Sequence, residues 1–217
     1  MMYNFISNRH CEDATHPWQS IFKGFVFLTC LLLTGCSVFM PVSIPEVKNY
    51  QISLVHDSSP TCVNNSEQTE SAIQIMRMRD DAPYDTTRMF YSSSQYQLNS
   101  YARHEWAALP SQMLTKVIQE KLIGACQYSS VVNADFMTAA KYRLNSQLVE
   151  LKQNITGDRA EIKLAVLIQL VDNGSNQVIK SKTFVERVKT QPNPEGYVDG
   201  TNIATKMFLD ELVLWLK

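Results

Sequence analysis

Glycine is scarce in this chain, seven residues in 217, and the seven do not cluster. That excludes the glycine-rich loops that cradle phosphates, and no Gly-x-Ser-x-Gly frame surrounds Ser129 or Ser130. Histidine is scarcer still, four in all. Charge of one sign is also missing: 20 basic residues face 21 acidic ones, for a net charge of −1. Such a balance leaves no electrostatic footprint for nucleic acid and no polybasic patch for anionic lipid. Internal repeats and low-complexity segments are absent. No apolar run reaches the roughly 20 residues that a membrane-spanning helix needs.

The one apolar run, Gly24 to Leu33, is short, follows Lys23, and leads into Leu33-Thr34-Gly35-Cys36. A basic flank, a short apolar core and small residues before a cleavage point make a secretory signal. A cysteine directly after Leu-Thr-Gly makes it a lipoprotein signal. Cys36 is therefore expected to carry a diacylglycerol and an N-acyl chain and to become the first residue of the mature protein. Met1 to Ser20 is long and mixed for a leader, with Glu12 and Asp13 in it. Residues 1–35 are set aside from fold reasoning, residues 36–48, with Pro41 and Pro45, read as a lipidated tether, and 49–217 as one domain. Without the leader the balance is 18 basic against 19 acidic residues, so membrane attachment falls to the lipid.

Removing the leader also removes Cys11 and Cys30. Cys62 and Cys126 remain in an oxidising compartment, and two readings stay open: one disulfide, or two thiols buried singly. Their spacing, with no paired histidines, matches no metal site. Of the histidines only His56 and His104 remain. His104-Glu105 begins like a metalloprotease motif, but Ala108 stands where the second histidine would be. It reads as a surface His–Glu pair. No metal, cofactor or catalytic group is expected, and hydrolase chemistry would need a constellation the sequence does not display.

Periodicity predicts the elements. Strands are expected over Asn49–Val55 and Ala72–Met78, with a loop over His56–Ser71 between them. A short hairpin is expected from Arg88–Tyr91 and Gln95–Leu98 around Ser92-Ser93-Ser94. Pro110–Ala125 reads as a helix with proline in its first turn and Gly124 near its end. Three alternating segments follow: Ala140 to Leu148, Glu161 to Leu170, and Gln177 to Val188. Asp172-Asn173-Gly174-Ser175 turns the last hairpin, so an antiparallel meander is expected. Gln191 to Gly196 breaks the pattern, and Asn202–Leu216 closes the chain as an amphipathic helix. Strands, helix, strands, helix make an α+β fold: an antiparallel β-sheet with two amphipathic helices on one face, in two layers. Aromatics are dense between Tyr84 and Trp106. They have two readings, strand and core packing, or an aromatic contact surface with Phe90, Tyr91, Tyr96 and Trp106 as its candidate partner contacts.

The lipobox at Cys36, the strands around Tyr50-Gln51-Ile52 and Ile73-Gln74-Ile75, and the segment Arg88-Met89-Phe90-Tyr91 line up with one family. So do Trp106-Ala107, Pro110 with Met113-Leu114, the Tyr142-Arg143-Leu144 strand and the C-terminal helix. With these the chain resembles the ABC-type transport auxiliary lipoproteins of the PqiC/YmbA type. Two departures are visible: the loop bearing Cys62, and a family Pro-x-Tyr-Leu segment reduced to Asp81-Ala82-Pro83-Tyr84. The resemblance implies a non-enzymatic lipoprotein on the periplasmic face of the outer membrane, anchored by its lipid. Ser37, in place of the aspartate that retains many lipoproteins at the inner membrane, agrees with that sorting. Its implied partner is the MCE-domain protein of an ABC transport system that moves lipid or other hydrophobic molecules between membranes. A homo-oligomer is compatible with this role. The alternative is an assembly or activator lipoprotein of another envelope machine, for lipopolysaccharide export or a cell-wall synthase.

Overall fold

The computed structural model describes residues 45–54, 69–136 and 139–217. The chain divides into Met1–Ile44 and Pro45–Lys217, and the second unit carries the fold. Its nine strands are β1 (Lys48–Tyr50), β2 (Thr69–Ile75), β3 (Arg79–Asp80), β4 (Arg88–Ser94), β5 (Gln97–Trp106), β6 (Tyr128–Asn133), β7 (Tyr142–Thr156), β8 (Arg159–Asp172) and β9 (Gln177–Thr190). Helix α1 is Pro110–Ala125 and helix α2 is Pro194–Leu216. The fold is α+β.

The meander β7-β8-β9 is antiparallel along its full length, as its alternation predicts. In β8, Ile162, Leu164, Val166, Ile168 and Leu170 are all buried on one face. Gly157, in the left-handed region at φ 58°, makes the tight β7–β8 turn. The rest of the sheet is not antiparallel. β2, β3 and β4 all run parallel to β7, β6 parallel to β2, and β1 parallel to β5. Only β4–β5 adds another antiparallel hairpin. The expected sheet is therefore corrected to a mixed one. Pairing between strands far apart in the chain is set by the crossovers that carry them, which local alternation does not encode.

One edge of β7 serves three strands end to end. Tyr142–Leu144 pairs with β2, Gln147–Leu148 with β3, and Gln153–Asn154 with β4. A bulge between Leu148 and Glu150 interrupts the ladder to β8. Before it Leu144 and Leu148 point into the core, and after it Leu151 and Gln153 do. Glu150 is left on the other face between Lys152, at 2.9 Å, and Lys163. Burial pushes its carboxyl up, but the two ammonium groups outweigh that and hold it below the usual range.

Helix α1 has the predicted bounds, with Pro110 in its first turn and Met113, Leu114, Val117, Ile118 and Leu122 buried. It passes through Gly124 and stops at Cys126, which takes the left-handed conformation at φ 53°. Helix α2 begins eight residues before its expected start. Asn193 and Pro194, which read as breakers, are its cap: the Asn193 side chain accepts from the Gly196 amide at 2.7 Å, and Pro194 opens the first turn. Strand β6 has no counterpart among the expected elements, because only Tyr128 in it is buried and its serines face water. Both helices and the sheet share one core, in which Phe184 meets Phe208 at 5.3 Å.

Gly200 lets α2 lie close on the sheet. A Cβ there would sit 2.2 Å from Thr190 Cγ2 and 2.7 Å from Ile162 Cγ1. Gly200→Ala should therefore lower stability by about 1–2 kcal/mol despite alanine's better helix propensity. A urea melt that moved the other way would mean that the helix shifts freely on the sheet.

Candidate interaction surface

The aromatics between Tyr84 and Trp106 separate once folded. Trp106, at the end of β5, is 1% exposed and packs 5.7 Å from the Tyr197 ring of α2. It is a core residue and leaves the set of candidate contacts. Phe90 is half-buried, edge-on to Tyr84 at 5.9 Å. Tyr91 is half-buried as well, 4.7 Å from the ring of Tyr101. Tyr96 differs from all of them. It sits in the turn joining β4 to β5 and is 93% exposed, with Leu98 beside it at 39%. An aromatic ring held out to water on a hairpin tip buries little apolar surface in the free protein. Of the rings between Tyr84 and Trp106, Tyr96 is the one most open to solvent.

His104 and Glu105 do not act as a pair. Adjacent on β5, they face opposite ways. Glu105 accepts from the Thr87 hydroxyl at 3.3 Å. His104 stacks on Tyr50 with ring centroids 5.8 Å apart. The Tyr50 hydroxyl donates to Glu195 Oε1 at 3.2 Å and lies 2.9 Å from His104 Nδ1. With its hydrogen directed at Glu195, Tyr50 accepts from His104, so Nδ1 carries the ring hydrogen. Lys48 Nζ reaches the same Glu195 oxygen at 3.4 Å. The carboxylate is lowered by the free backbone at the start of α2 and by Lys48 and Tyr50, while partial burial and Glu195 push Tyr50 up. This cluster spans 147 positions of sequence and has no local signature. It joins β1 to α2 and aims no nucleophile or base at a cavity.

Among the described residues no three of His, Cys, Asp or Glu converge on a common metal position, and no helix is long and apolar enough to cross a membrane. A groove of about 580 Å³ lies on the polar side of the sheet, with Arg77, Arg79, Asn145 and Gln169 on its walls and Leu167 in its lining. Arg77 is paired there with Asp135. Cys126 is disulfide-bonded. Cys62 and the lipidation residue Cys36 lie outside the described residues.

Residues 50–213 match the model of a single family, the ABC-type transport auxiliary lipoprotein component. The chain belongs to this family. Among solved structures it is similar to a Xanthomonas campestris protein at 15% identity, with a TM-score of 0.63 over 79% of this chain and 92% of that one. It is also similar to a second, uncharacterised protein at 14% identity, with a TM-score of 0.60 over 80% of this chain and 100% of that one. PelC from Paraburkholderia phytofirmans, crystallised as a dodecamer, superposes less closely, at a TM-score of 0.41 and 11% identity over 66% of this chain and 91% of PelC. These likenesses concern the fold alone. No functionally curated protein matches the sequence.

The buried phenols of this auxiliary lipoprotein give it an alkaline limit. Burial raises Tyr84, Tyr101 and Tyr128 from 10.0 to about 12, with Glu150, Tyr91 and Tyr142 adding to the respective shifts. The unfolded chain ionises these groups first, so their contribution is complete below about pH 10 and is lost as pH rises toward 12. Thermal midpoints measured against pH should fall steeply across that window. Tyr101→Phe, which removes one such group, should make the fall shallower.

Proposed function

We propose that this chain is the lipid-anchored, non-enzymatic adaptor of an MCE/ABC-type transport system. In this reading Cys36 carries the acyl chains, the anchor lies in the periplasmic leaflet of the outer membrane, and the folded domain seats the MCE assembly at that membrane. Hydrophobic cargo then moves between membranes at the expense of ATP used by the partner's ATPase. The observation that carries the proposal is the family match over nearly the whole domain, residues 50–213. The lipobox that ends in Cys36 supports it. The β4–β5 hairpin supplies the contact, with Tyr96 as the aromatic anchor and the half-buried Phe90 and Tyr91 at its base. Cys62 and Cys126 form the disulfide in this reading, linking the segment between β1 and β2 to the end of α1.

Two experiments test it. Cys36→Ser should abolish incorporation of a labelled fatty acid into the protein, because it removes the thiol that carries the lipid. Labelling that survives the substitution would rule out Cys36 as the lipidation site. Affinity purification of the tagged, lipidated protein from crosslinked cells should recover an MCE-domain protein with its permease and ATPase. Tyr96→Ala should cut that recovery several-fold while changing stability by no more than about 0.5 kcal/mol, as expected for an exposed side chain. Recovery of lipopolysaccharide-export or cell-wall machinery in place of MCE components would favour the alternative envelope role.

A further inference from the structure

We propose that Lys48–Leu54 is a releasable strap, held closed over the domain by the Tyr50–His104–Glu195 cluster and opening independently of the core. The segment contains only three residues of regular strand, paired parallel to β5 in the register Lys48↔His104, Asn49↔Glu105, Tyr50↔Trp106. Beyond the strand, the Tyr50 carbonyl accepts from the Ala107 amide at 2.6 Å. The Ile52 amide donates to a sulfur, Met113 Sδ at 3.4 Å, which is a weak acceptor. The Ser53 amide donates to the Asn202 side chain at 3.0 Å, in α2. Ile52 is the strap's single fully buried side chain, at 4% exposure. Lys48, Asn49, Gln51 and Ser53 are exposed.

The contrast with the neighbouring sheet is large. β8 is paired on both edges over nearly its whole length, and its inward side chains are buried without interruption. The strap has one short ladder, one fully buried apolar side chain with the half-buried Tyr50 and Leu54 packed at the margin of the core, and a clasp of solvent-screened polar contacts. The Lys48–Glu195 pair is more than half exposed on both sides, so it adds little by itself. Local opening draws on segments of this kind, with few buried apolar contacts and exposed hydrogen bonds. Opening would free seven residues, lengthening the chain ahead of the domain by roughly 24 Å at about 3.4 Å per residue. It would also bare the edge of β5. The gain in reach from a membrane rests on lipidation of Cys36 as proposed above, whereas the opening is a property of the domain alone.

Hydrogen exchange on the full-length protein reads the opening directly. The amides of Ile52, Ser53 and Ala107 should exchange about 100-fold or more faster than those of Ile162 to Ile168 in β8. Ile52→Ala should speed exchange at Ala107 about tenfold further and leave β8 protection and the thermal midpoint close to those of the parent. Tyr50→Phe, which keeps the ring and removes the clasping hydroxyl, should act at Ala107 in the same direction if the alanine variant folds poorly. Equal protection of Ala107 and β8, or an equal loss at both in the Tyr50→Phe variant, would overturn the strap and make the segment part of the cooperative core. Fast exchange at the strap in a protein that fails to fractionate with membranes would leave the opening standing and remove only its consequence for reach.

Discussion

Everything in this domain is hung on the backbone hydrogen-bonding capacity of β7. One edge of the strand is consumed by β8 alone, and the other is shared among β2, β3 and β4. A strand with unpaired edges is a liability in water, and three short parallel strands together satisfy what one long partner would. Each of those three is too short to persist on its own. The hairpin that bears Tyr96 is thereby fixed through β4 to the longest of the described strands. The exposed ring at the tip is thus carried on a well-paired support.

A buried polar bridge joins the two sides of that arrangement. Gln153 in β7 is fully buried, accepts from the Tyr101 hydroxyl of β5 at 2.7 Å, and donates to Thr190 Oγ1 at 2.9 Å and to the Gln191 carbonyl at 2.7 Å. Both ends of its amide are used, so the cost of burying it is offset. Tyr197 completes the set from α2, donating to the Leu151 carbonyl at 3.1 Å beside Trp106 and Tyr101. The aromatic density between Tyr84 and Trp106 is in large part this inner wall, and only Tyr96 is spent wholly on the outside.

What the sequence made legible followed from short-range physics. The apolar stripe of α1, the alternation of β8 and the turn that follows Asp172 depend on neighbours within a few positions, and each stands where the pattern places it. The differences arise at residues whose meaning depends on a distant partner or on the direction from which they are read. Asn193 and Pro194 stop a strand pattern and start a helix with the same chemistry. β6 has one buried side chain, Tyr128, with Val131 half-buried beside the core, too little to register as a period. Parallel pairing of β2, β3 and β4 to β7 arises from crossovers, and the Tyr50–His104–Glu195 cluster from three elements that meet only in the fold. The candidate contact surface was half legible: composition marked the region, but only burial distinguishes Tyr96 from Trp106.

The bulge in β7 has a consequence for how this chain can vary in length. Loss of a residue from a paired strand normally turns every later side chain inside out. Leu148 stands opposite Val166 and Glu150 opposite Ala165, so Val149 has no counterpart in β8. Excising Val149 would close the ladder with Leu151 and Gln153 still facing inward and Glu150 still between its lysines. The strand thus contains a built-in expansion joint, one position wide, at which a codon can be lost without inverting the protein's inner and outer faces.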